Sequence, residues 1–207
     1  MFSNLTPFIP LSFKGEGEGN NKEGLSPLLN ALYIELSYQI GSVMRILGID
    51  PGTVTMGYGV IESKEGEITL VDCGALNSPA RSPIGERLSY LYGELLEIIA
   101  RYQPDAVAVE QPFMAKNVRS ALAVGRAQAV AMLAAANRGI PTYEYTPAQV
   151  KQRVTNYGAS SKEQIQEIVR LQLGLSQVPQ PSDAADALAV AICHLQETHL
   201  ENLLAKQ

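Results

Sequence analysis

The sequence predicts an α/β domain built on a mixed five-stranded sheet flanked by helices. Three observations predict it. Early apolar runs joined by turn chemistry read as three antiparallel strands, and beyond them helical spacing alternates with short buried runs. The chain, at 207 residues, is long enough for one full core and too short for two sizeable domains plus the polar leader that precedes the first strand. With 46% apolar residues, wholesale disorder is excluded.

Met1 to Val43 differs from the rest. "FKGEGEGNNKEG" is a linker without period, and "LSPLLNALYIELSYQI" is a short amphipathic segment at best. The start has no basic n-region followed by a clean apolar run, as a secretory signal would. Residues 1–43 are therefore expected to be a flexible extension, or the product of an upstream misreading of the start codon, with the folded domain over 44–207.

Arg45–Ile49, Gly57–Ser63 and Ile68–Leu76 read as an antiparallel meander turned by "DPGT" and "KEGE". A helix follows, with Ser82 as N-cap, Pro83 at its first position and Ile84, Leu88, Leu91, Leu95, Ile98 and Tyr102 at helical spacing. "DAVAVE" is a buried strand ending in an acid. A small-residue helix runs from about Asn117 to Asn137 and stops at Gly139, before a strand over Thr142–Tyr145. A helix near Ala148–Val154, another capped by the box Ser160-x-x-Glu163, and a last one beginning in "PSDAADALAVAICHL" complete the domain.

Four acids stand out. Asp50 ends the first apolar run inside "ILGIDPGTVTMGYGV", where Asp-Pro-Gly alone would be explained by turn chemistry. Glu110 ends Ala106–Val109, the carboxyl end of a strand that an α/β fold makes parallel and uses for ligands. Asp183 and Asp186 share one face at the start of the last helix, where acids also complement the helix dipole. Acids converging from three elements repel one another unless a cation compensates them, and oxygen donors without His or thiolate suit Mg²⁺ or Mn²⁺. A pair of such ions suits in-line phosphoryl displacement.

The net charge of -5 argues against a nucleic-acid partner until its distribution is considered. From Phe113 through Lys162 seven basic residues (Lys116, Arg119, Arg126, Arg138, Lys151, Arg153 and Lys162) face one acid, Glu144. Such a segment suits a polyanion or, standing alone, a solvated helical face. Cys73 and Cys193 are far apart with no metal-ligand spacing, which with the absence of any 20-residue apolar run leads us to expect a cytoplasmic protein without a membrane partner.

"GIDPG", "GYGV", "VEQPFMAKN", "QVKQ" and "SDAADALAVAICH" occur in the order and at the separations of the RuvC family, and the chain resembles these bacterial Holliday-junction resolvases of the RNase H-like superfamily from Met44 to about Leu195. The resemblance implies a Mg²⁺-dependent homodimer that nicks opposed strands of a four-way DNA junction symmetrically, working with the RuvA/RuvB branch-migration complex. It implies that Asp50, Glu110, Asp183 and Asp186 are the catalytic acids and ligands of two ions. It also implies that Lys151 and Lys162 contact DNA near the scissile phosphate and that Phe113 stacks on an unpaired base. The basic loop residues Lys116 and Arg119 are expected to face phosphates. Pro112 departs from many relatives and stiffens the approach to that loop. Two rivals are an RNA-processing nuclease of YqgF type and an ATP-binding module of the actin and Hsp70 type. The second needs another D-x-G loop, which the sequence lacks.

Overall fold

The computed structural model describes residues 43–112 and 118–205. The first strand, β1 (Met44–Asp50), pairs antiparallel with β2 (Thr55–Lys64), which pairs antiparallel with β3 (Glu67–Asn77). The β2–β3 hairpin turns through Glu65 and Gly66 at φ 53° and 88°, a two-residue geometry that matches strand twist. All three strands extend a residue or more beyond both predicted ends, because polar residues such as Asp50, Lys64 and Asn77 continue the ladder without adding to the apolar pattern.

Helix α1 (Ile84–Tyr102) then crosses to β4 (Ala106–Glu110), which lies parallel to β1. Leu91, Leu95, Ile98 and Ile99 form its buried face. Its start corrects the predicted Ser82 cap. Pro83, at φ -51° and ψ 150°, is still extended and stands at the N-cap, while the Ser82 amide bonds the Pro79 carbonyl in the preceding turn. No side chain caps this helix. Helix α2 (Val118–Ala136) leads to β5 (Thr142–Tyr145), parallel to β4, and gives the sheet order β3-β2-β1-β4-β5.

Helix α3 (Pro147–Thr155) carries a capping box between Thr146 and Gln149 that the sequence reading did not foresee. Helix α4 (Lys162–Gln172) is capped one residue later than predicted, by Ser161 with Gln164. Ser160 is unavailable as a cap because its buried hydroxyl bonds the Tyr157 carbonyl. Helix α5 (Ser182–Leu204) closes the chain.

Alternate residues of the strands feed two cores. Leu47, Ile49, Val107 and Val109 face α1 and α2, whereas Ile46, Ile61 and Ala108 face α3, α4 and α5. The first half of α5 is almost entirely apolar and buried, which explains why it shows no amphipathic stripe. Arg45 fastens the opening strand: its amide bonds Asp105, and its guanidinium bonds Glu62 and the Tyr102 carbonyl.

Candidate active site

The parallel register Ile49↔Val109 makes Asp50 and Glu110 neighbours at the carboxyl ends of β1 and β4, where the strands stop and their acids leave the apolar layer. Across the antiparallel pair, Asp50 lies opposite Gly57. That glycine admits α5: a Cβ there would lie 2.0 Å from the Asp183 carbonyl oxygen, so only hydrogen lets the first turn reach the sheet. Gly48 does the same one turn on, against Ala187. The helix that carries Asp183 and Asp186 is thus seated directly over β1 and β2.

The electrostatics report the convergence. Burial, first, and then the charges of Asp186 and Asp183 push the Asp50 carboxyl up to about 6. Burial and the charges of Asp50 and Asp186 push Glu110 up to about 7, where it shares a hydrogen bond with Asp50. Opposing this repulsion, Lys162 Nζ lies 2.5 Å from Asp186 Oδ2, and its ammonium pulls both carboxyls back down. Asp50, Glu110, Asp186, Lys151 and Lys162 line one open cleft of about 240 Å³, floored by Val150, Ile165 and Ala189. That volume is below the roughly 300–1,000 Å³ that encloses a drug-sized ligand, and suits one group of an extended substrate.

The donor set fits a hard divalent cation: carboxylate oxygens alone, half-buried, mutually repelling and partly neutralised by a single lysine. Among the described residues no three acids, histidines or cysteines stand close enough together to hold an ion, and Asp186 is paired with Lys162.

Of the predicted DNA contacts, Lys151 and Lys162 reach the cleft. Arg119 is exposed in the first turn of α2, and Phe113 and Lys116 lie outside the described residues. The basic segment is not one patch. Arg126 and Arg138 belong to the α2 side of the sheet, Lys151 and Lys162 to the α3–α4 side, and Arg153 is paired with Glu197. Two supporting groups escaped the sequence reading. Glu144, the lone acid of that segment, accepts from Gln128 Nε2 at 2.6 Å and from Gln111, the residue after Glu110. Buried His194 shares a 2.7 Å hydrogen bond with Tyr145, whose strand position is paired with Glu110. Glu144 belongs to no period or motif, and His194, although it ends the "SDAADALAVAICH" stretch, carries no role that the stretch alone announces.

A family model of the crossover junction endodeoxyribonuclease RuvC matches residues 46–194. The chain belongs to the RuvC family. The RuvC of Dehalococcoides mccartyi is 58% identical over 163 residues, covering 79% of this chain and 98% of that relative. The RuvC of Chloroflexus aggregans is 60% identical over 151 residues, 73% of this chain and 92% of the relative. Thermus thermophilus RuvC, solved in complex with Holliday junction substrate, superposes with a TM-score of 0.73 at 36% identity, over 76% of this chain and 96% of that one. The fold is accordingly RNase H-like, and membership carries the RuvC activity, metal-dependent endonucleolytic cleavage of DNA at crossover junctions. Among the described residues no helix is long and apolar enough to cross a membrane.

Proposed function

We propose that the domain from Met44 onward resolves four-way DNA junctions as a homodimer, with Asp50, Glu110, Asp183 and Asp186 as ligands for two Mg²⁺ ions, replaceable by Mn²⁺. The observation that carries this reading is the meeting of Asp50 and Glu110 with Asp186 and Lys162 in one open cleft. Bound divalent ions stabilise the attacking and leaving oxygens of a phosphodiester displacement. Asp50 and Glu110 supply the fixed negative charge that recruits them, and ionise fully once that charge is compensated. Lys151 and Lys162 neutralise phosphates at the mouth of the cleft, and Lys162 also holds Asp186 on the cleft side of α5.

Symmetrical nicking of opposed strands needs paired sites, which a two-fold dimer supplies. The Ala/Gly-rich α2 allows close helix packing for such a contact. By family resemblance, a RuvA/RuvB branch-migration complex would present the uncut junction to this dimer.

The test incubates purified protein and Mg²⁺ with a mobile four-way junction, a matched duplex and RNA. Paired nicks in the junction alone are expected. Asp50→Asn and Glu110→Gln should abolish nicking while junction affinity is retained. Loss of binding in a folded variant, or preferential cleavage of RNA, overturns the reading. Light scattering should give a dimer at micromolar concentration. Residues 1–43 carry no motif, so the protein beginning at Met44 should melt and cleave as the full chain does; a marked loss of either would show that the leader contributes.

A further inference from the structure

The α3–α4 connection displays an aromatic side chain that nothing in the folding of the domain requires. Tyr157 is 66% exposed, the highest value for any large apolar or aromatic residue among those described. Its backbone is nonetheless fixed. The Tyr157 amide donates to Thr155 Oγ1 at 3.1 Å, its carbonyl accepts from the Ser160 hydroxyl at 2.8 Å, and the Thr155 and Ser160 hydroxyls lie 2.7 Å apart. Asn156, at φ 55°, makes the left-handed step that starts the loop. The Tyr157 ring has no hydrogen-bond or ring partner among the described residues.

A flexible loop with an exposed tyrosine would need no explanation. Here a fixed loop holds the ring out, and the two helices it joins deliver Lys151 and Lys162 to the acid cleft. Tyr157 lies five positions before Lys162, so their Cα atoms are at most about 17 Å apart even if the connection is fully extended. A stacked strand rises about 3.4 Å per nucleotide, so the Tyr157 backbone stands within about five nucleotide rises of the backbone of Lys162, whose side chain lines the cleft.

Resting on the nuclease reading above, we propose that Tyr157 is a DNA-contacting residue that stacks on a nucleobase flanking the scissile phosphate, and that it biases where the strand is cut. A tyrosine face accepts any base, and modest preference follows from differences in stacking strength. A four-way junction opened at its crossover offers unstacked bases of this kind. The ring is rigid and amphipathic and loses little entropy on contact.

The chain contains no tryptophan, so Tyr157→Trp creates a single fluorophore at the position in question. Titrating this variant, metal-free, with a four-way junction should quench its fluorescence, as stacking on a base does. Tyr157→Ala should weaken junction binding about tenfold and flatten the distribution of cut sites along a mobile junction, and Tyr157→Phe should stay within about twofold of the unsubstituted protein. Melting temperatures of all three should change little, because the side chain is two-thirds exposed and makes no hydrogen bond or ring contact among the described residues. Unquenched fluorescence together with unaltered affinity of Tyr157→Ala overturns the proposal, as does a large drop in melting temperature for Tyr157→Ala that Tyr157→Phe restores. If the unsubstituted protein itself binds no four-way junction, the nuclease reading falls; normal binding with an indifferent Tyr157 removes only this residue's role.

Discussion

At the residue scale the clustered acids of the cleft work against the fold. Asp50 and Glu110 hold their protons to about 6 and 7, above the ordinary carboxylate range, so the folded state binds protons more tightly than the unfolded one. Their contribution to stability is therefore fully present below the unfolded values near 4 and is lost as pH rises through the folded ones. Asp50→Asn should accordingly raise the melting temperature of the metal-free protein at pH 7.5, with the gain shrinking toward pH 4, while abolishing nicking. Calorimetry at the two pH values checks this, and a variant destabilised at pH 7.5 would contradict it. A divalent ion that takes the same carboxylates relieves the same repulsion and competes with the same protons. The stabilisation by Mg²⁺ should therefore grow from pH 5 to pH 7.5, and chelation should reverse it. Lys162, which offsets part of this repulsion through Asp186, should matter most without metal: Lys162→Gln is expected to lower the metal-free melting temperature more than that of the Mg²⁺-loaded protein.

At the element scale the central device is the seating of α5 on β1 and β2. Gly57→Ala would place a methyl 2.0 Å from the Asp183 carbonyl oxygen, in backbone that cannot rotate away. The helix must lift, which costs about 1–3 kcal/mol of the kind measured for overpacked cores and moves both of its acids. Chemical denaturation should show that loss, and nicking should fall even where the variant remains folded. The sequence made much of this legible and missed the rest for identifiable reasons. Asp50 and Glu110 could be placed because each ends an apolar run, and strand ends are where apolar patterning stops. Gly57 read only as the first residue of the second strand, since the demand for hydrogen comes from a helix more than a hundred residues later. The α4 cap was misplaced by one residue because Ser160 and Ser161 are equivalent in composition, and only the burial of the first, against Tyr157, decides between them. The Tyr145–His194 bond was invisible for the same reason. Desolvation holds His194 down near 4, so this group favours folding above its unfolded value near 6.5 and loses that contribution as pH falls toward 4, opposite in sign to the carboxyl pair.

At the scale of the whole molecule, the question is which cations meet DNA. The run of basic residues looked continuous in sequence, yet the chain distributes it over both faces and both ends of the sheet. Lys151 follows β5 and lies at the carboxyl ends of the parallel strands, with the acids. Arg138 precedes β5, so it lies at the opposite end of the same strand, and α2 places it on the other face. A phosphate held by the cleft can be neutralised by the first and not by the second. Each phosphate contact released by a substitution lowers the salt dependence of binding by about one unit in the slope of log K against log salt. Lys151→Gln should therefore weaken junction binding and reduce that slope by about one. Arg138→Gln should leave both unchanged, although it removes the same formal charge from the same stretch of sequence. Equal losses from the two would mean that DNA responds to the net charge of the segment rather than to the end of the sheet at which each cation stands.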